Sequence, residues 1–194
     1  LNKKIFELDE LMFIKTFVPN HARILEVGAN IGNHLVFYVK SMNASFVTPI
    51  EPNPKAISIL KKNICINKIS KNINMDYLGY GVGAEKMLLQ LDDTVENNLG
   101  AAKLSKGNNP SIKVIPIDDI DIGKIDFIKI DVEGMELDTL KGAKKTIQKY
   151  TPLIYIEIFN NNIDSFKAWV KSNNYKIITE FKYINAINYF IAPK

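Results

Sequence analysis

The chain has 194 residues, enough for one domain with a single core rather than two domains. Hydrophobic residues at 46% and charged residues at 24% match a folded globular chain and exclude both a disordered chain and a membrane bundle. The net charge of +4 suggests a phosphate-binding surface, yet Arg23 is the only arginine. Lysine lacks the bidentate fork that phosphate recognition exploits, so composition argues against a nucleic-acid partner. Cys65 stands alone, so no internal disulfide can form, and a reducing, cytoplasmic setting is expected. No apolar run reaches the ~20 residues of a membrane span, and no secretory pattern opens the chain. Residue 1 is leucine, which leaves an upstream extension open.

Residues 1–20 hold one amphipathic helix, with Ile5, Leu8, Leu11, Met12 and Phe17 near helical spacing and Pro19 as its stop. Strands and helices then alternate: a strand at 23–27, a helix at 32–41, a strand at 46–50 and a helix at 54–66. That alternation is the mark of parallel βαβ units. Strands are expected at 74–80, 87–91 and 112–117 around an Asn/Gly-rich flexible loop at 96–110. A strand at 125–131, a helix at 135–150, a strand at 153–158 and a helix at 164–173 follow. Residues 175–181 and 187–192 are separated by too few residues for a crossover helix and should pair antiparallel. The expected fold is α/β: a doubly wound, mostly parallel, Rossmann-like sheet with an antiparallel C-terminal strand pair, in a single domain over 1–194.

Ile24-Leu25-Glu26-Val27-Gly28-Ala29-Asn30-Ile31-Gly32-Asn33 reads as a strand, a glycine turn and a helix start, where a ligand can rest on bare backbone. Glu51, in Ile50-Glu51-Pro52-Asn53-Pro54, ends the next strand and is placed to accept hydrogen bonds from both ribose hydroxyls of an adenosine-containing ligand. A dinucleotide fingerprint wants glycine at positions occupied by Gly28, Asn30 and Asn33, and only the first matches. S-adenosylmethionine fits better, since it has no pyrophosphate to cradle, and Glu26 is placed to meet its ammonium. The alternative is that these glycines only make a tight turn.

The strings EVGANIGNH, IEPNP, IDFIKIDVEGMELDTLKGA and PLIYIEI, in this order from about Ile24 to Ile158, resemble the FkbM-type methyltransferase family. The resemblance implies a class I methyltransferase sheet of seven strands in the order 3-2-1-4-5-7-6. It also implies S-adenosylmethionine as donor and, commonly, O-methylation of a sugar or polyketide-like hydroxyl. It places the donor loop on Glu26 to Asn33 (Gly28, Ala29, Asn30 and Gly32 included), the ribose acid on Glu51 beside Pro52 and Asn53, and the fourth-strand motif on Lys129 to Gly134. Gly81-Val82-Gly83 falls beside the adenine. Phe159 departs from the family, where relatives often carry histidine.

Read without the family, Asp126-Phe127-Ile128-Lys129-Ile130-Asp131-Val132-Glu133-Gly134 is still unusual. A central parallel strand is covered on both faces and normally runs apolar, yet Lys129 and Asp131 share one face near its carboxyl end. Glu157 does the same on the next strand. Lys129, Asp131, Glu133 and Glu157 are therefore the candidate catalytic residues, with His34 as a possible base near neutral pH. The structural alternative is a Lys129–Glu157 ion pair, with Asp131 and Glu133 capping the next helix. Asp131, Glu133 and Glu157 would also suit a hard divalent cation, although a metal is not favoured. Lys61, Lys62, Lys144 and Lys145 read as solvated faces, and Trp169 with Phe166 as core. The expected function is O-methylation of a small acceptor, a sugar or glycan. The alternatives are an RNA methyltransferase, which the Asp131-Val132-Glu133-Gly134 turn disfavours, and a non-catalytic S-adenosylmethionine binder. The acceptor and the oligomeric state are open.

Overall fold

The computed structural model describes residues 7–92 and 102–194. The start of the expected N-terminal helix and positions 96–101 of the expected loop lie outside the described residues. The main sheet is built from β1 (Arg23–Val27), β2 (Phe46–Ile50), β7 (Phe127–Ile130), β8 (Leu153–Phe159), β9 (Tyr175–Lys182) and β10 (Ala186–Pro193), in the order β2-β1-β7-β8-β10-β9. The first four are parallel; β10 runs antiparallel to both β8 and β9. The expected closing pair is therefore present.

Alternation along β1 sends Leu25 and Val27 to one face and Ile24 to the other. Helices α4 (Glu136–Gly142), α5 (Lys144–Tyr150) and α6 (Ile163–Ser172) bury Leu140, Ile147 and Phe166 on the first face. Helices α1 (Leu8–Phe17), α2 (Asn33–Lys40) and α3 (Pro54–Ile66) bury Leu11, Leu35 and Leu60 on the second. Each such side chain contributes about 1.5–3 kcal/mol relative to exposure. Trp169 packs against the first cluster, its ring centroid 5.9 Å from that of Tyr175. No helix among the described residues is long and apolar enough to cross a membrane.

The sheet departs from the expected seven strands. Residues 73–78 meet the main sheet through isolated bridges, Ile73 to Val47 on β2 and Leu78 to Glu51 just past its end. The Asn74 side chain accepts a hydrogen bond from the Asp76 amide at 3.0 Å, and this Asx turn curls the segment away from a continuous ladder. Strand β3 (Tyr80–Val82) forms later than expected and joins a second sheet, β3-β6-β4-β5, with β4 (Met87–Asp92), β5 (Lys103–Ser105) and β6 (Ile112–Ile115). Strand β5 occupies part of the segment expected to be loop. The single helix expected at 135–150 is broken at Ala143, because the Asp118 carboxylate accepts from the Lys145 and Thr146 amides at 2.9 and 2.8 Å and caps α5 as a separate helix.

Helix α1 buries Leu11 and Ile14 but leaves Leu8, Met12 and Phe17 exposed. Its Glu10 is buried, accepting hydrogen bonds from the Tyr183 hydroxyl and, at 3.1 Å, from Asn188 Nδ2. Asn188 in turn donates to the Tyr155 hydroxyl at 2.8 Å. This polar chain fixes the N-terminal helix to the β9–β10 hairpin and brings Glu7 over the carboxyl ends of β1 and β7.

Candidate active site

At the exit of β1 the chain must turn without colliding with its neighbour. Gly28 has φ +82°, and a Cβ there would sit 1.7 Å from the Asp131 carbonyl oxygen. Only glycine fits. The Gly28 and Ala29 amides donate to the Ile50 carbonyl at 2.9 and 3.1 Å, which ties this loop to the end of β2. Glu51 completes the tie: its Oε2 accepts from the Asn30 amide at 2.7 Å and its Oε1 from the Asn53 amide at 2.8 Å. Burial pushes the Glu51 carboxyl up, opposed by those two amides. Asn53 is itself the N-cap of α3, accepting from the Lys55 amide at 2.9 Å, with Pro54 in the first turn.

These elements wall a cavity of about 440 Å³ at the carboxyl edge of the sheet. Gly28, Asn30, Asn33, Glu51, Pro52, Gly81, Val82, Asp131, Glu133 and Glu157 line it, so most of the sequence-predicted residues converge there. Glu26, Ala29, His34 and Lys129 line instead a smaller adjoining chamber of about 70 Å³. Gly32 and Asn53 line neither space: Gly32 faces the Leu60 and Leu35 side chains, and Asn53 caps its helix. Glu7, Tyr80 and Leu104 also line the main cavity and had no distinguishing signal in the sequence.

Lys129 is buried, with its Nζ 2.8 Å from Asp131 Oδ2. The alternative of a Lys129–Glu157 ion pair gives way to this one, and the parallel register shows why Glu157 is out of reach. Lys129 lies level with Tyr155 on β8 and with Glu26 on β1, while Glu157 is two residues further along. Burial alone would lower the lysine pKa, but Asp131 and Glu26 outweigh it and hold the ammonium above its ordinary value. His34 sits between two acids, Nδ1 3.4 Å from Glu26 Oε1 and Nε2 3.4 Å from Glu7 Oε2.

After β7, Glu133 adopts φ +52°. The turn is braced from behind by Glu136, fully buried, whose Oε1 accepts from the Gly134 amide at 2.6 Å. Sequence reasoning passed over Glu136; its position two residues after a glycine was the available signal. One oxygen each from Asp131, Glu133 and Glu157 lie within 4.8 Å of one another, a spacing that a hard cation with ligands at about 2.0–2.6 Å can bridge.

The Glu157 carboxyl is pushed up to about 8, by burial first and then by Asp131 and Glu133. A group that holds its proton more tightly folded than unfolded costs stability as pH rises from the ordinary glutamate range to its folded pKa. Glu157→Gln, which cannot ionise, should therefore melt at a higher temperature than the parent, with a gap that widens from about pH 5 to about pH 8 and then levels. Melting curves across that range check this; a gap independent of pH would remove Glu157 ionisation as its cause.

An α/β sheet whose βα turns and carboxyl-edge acids wall a cavity is a Rossmann-like arrangement, and the solved structures that superpose on it include methyltransferases. The profile of the Methyltransferase FkbM domain matches residues 26–184, and the chain belongs to that family. Among solved structures, methyltransferase FkbM from Methylobacillus flagellatus KT superposes with a TM-score of 0.65 at 23% identity, over 87% of this chain and 43% of that one. The present chain thus spans less than half of that relative. M. capricolum TrmK, solved with S-adenosylhomocysteine, gives 0.61 at 16% identity over 98% of this chain and 70% of that one. Among curated proteins, the hexuronic acid methyltransferase AglP of Haloferax volcanii is 26% identical over 173 residues, 87% of this chain and 69% of that protein.

Proposed function

We propose that this protein is an S-adenosylmethionine-dependent O-methyltransferase acting on a hydroxyl of a small acceptor, a sugar or glycan. The carrying observation is that the glycine loop, Glu51 and the carboxylates of Asp131, Glu133 and Glu157 open into one cavity. The donor's chemistry fits the residues present. Glu26 Oε2 is buried with no hydrogen-bond partner in the chamber beside the loop, suited to an ammonium. Each Glu51 oxygen retains acceptor capacity beyond its backbone amide, suited to ribose hydroxyls. Gly81 and Val82 offer a small-residue seat for adenine. When bound, S-adenosylmethionine supplies an electrophilic methyl group on a sulfonium.

The chain's own contribution is to orient the acceptor and take its proton. Asp131, held by Lys129, is fixed at the strand exit beside the loop. Glu157, whose carboxyl is pushed up to about 8, is once ionised a stronger base than an ordinary carboxylate, and it lines the cavity in which the acceptor hydroxyl would lose its proton. Positioning supplies most of the rate, with general-base help worth roughly 10² to 10⁴. Support for a sugar acceptor comes from the AglP likeness.

Calorimetric titration with S-adenosylhomocysteine should show one site per chain, and Glu51→Ala should weaken it strongly while a melting curve verifies that the variant folds. Absence of heat from the parent protein would end the donor assignment.

A further inference from the structure

This inference rests on the methyltransferase reading and concerns which acceptor that same cavity takes. Five carboxylates line it: Glu7, Glu51, Asp131, Glu133 and Glu157. Three of them are already engaged. Glu51 accepts two backbone amides and stands where ribose binds. Asp131 is paired with Lys129 at 2.8 Å. Glu7 lies 3.4 Å from His34. The cationic end of the donor has its own partner: Glu26 is 1% exposed, its Oε2 is unpartnered, and it faces the adjoining chamber, which shares Gly28, Asn30 and Asp131 with the main cavity.

Glu133 and Glu157 line the same cavity and have no hydrogen bond or ion pair among the described residues. Among the described residues Lys103 is the cation that most favours the ionised Glu133, and its Nζ lies 5.2 Å from the Phe159 ring centroid. Burial and the neighbouring acids push the carboxyls of Glu133 and Glu157 up, Glu157 to about 8, so the pair carries its full charge only above that pH. There a further anion is opposed by both.

We propose that the acceptor is a neutral or amino sugar, and that sugars carrying a carboxylate near the reacting hydroxyl are rejected. Carboxylates are good acceptors for neutral diols and ammonium groups alike and are repelled by uronates. This separates the chain from the relative named for a hexuronic acid.

The test uses protein saturated with S-adenosylhomocysteine in chelator-containing buffer at about pH 9, where both carboxyls are ionised, titrated with methyl glucoside, methyl glucosaminide and methyl glucuronoside. The glucuronoside should bind about tenfold or more weaker than the better of the other two. Glu133→Gln combined with Glu157→Gln should shrink that gap to about threefold or less. Failure of S-adenosylhomocysteine to bind refutes the methyltransferase reading and takes this inference with it. If it binds, a glucuronoside that matches or exceeds the other two, binding by none of the three, or a gap unchanged in the double variant overturns the inference alone.

Discussion

Lys129→Met is expected to lower the free energy of unfolding by about 3–5 kcal/mol, the range for breaking a buried ion pair from one side. Lys129 is 4% exposed and Glu26, level with it on β1, is 1% exposed. Methionine fills a similar volume, so packing is largely preserved and the loss is electrostatic. Glu26 and Asp131 would be left facing each other without a cation. Equilibrium denaturation measures the effect, and Glu26→Gln in the same background should recover part of it. A loss under about 1 kcal/mol would show that the pair is solvated and that Lys129 does not hold Asp131 in place.

Gly28→Ala should abolish S-adenosylhomocysteine binding within the range of calorimetry and lower stability by several kcal/mol. Two causes add. A positive φ costs an L-residue about 1–2 kcal/mol, and the new Cβ, 1.7 Å from the Asp131 carbonyl oxygen, must push β1 from β7 or pull the loop off Ile50 and Glu51. Gly79→Ala separates them, because Gly79 has φ +96° and a Cβ added there would meet nothing within 4 Å. That variant should show the conformational cost alone and keep its ligand. Equal behaviour of the two variants would mean that close approach to β7 is not what requires glycine at position 28.

What could be read from the sequence follows from where the signal was local. The run Ile24 to Val27, ending in glycine, states its own strand and turn, and Lys129 and Asp131 declared themselves by standing where a buried strand should be apolar. The Lys129–Asp131 pair was within reach, since the two share a face two residues apart; that Glu157 lies too far along to take the lysine depends on the stagger between β7 and β8, which no single strand encodes. The small sheet was only partly visible: strands of three or four residues, such as Tyr80–Val82 and Lys103–Ser105, are too short to show a period. Glu7 and Glu10 stand between the apolar positions of the expected N-terminal helix, where nothing in the sequence marks them. Their roles arise from contacts with His34, Tyr183 and Asn188, all distant in sequence.

The bond from Glu10 to Asn188 spans 178 residues. The glycine loop and Glu51 come together from residues 28–53, so that half of the site can assemble while the chain is still being made. The wall carried by Glu7 is completed later, since the Glu10 bonds that clasp its helix wait for the closing hairpin. Closure of such a long loop is among the slower events of folding. A nascent chain stalled before the β9–β10 hairpin should therefore have the glycine loop in place but lack the Glu10 clasp beside the cavity.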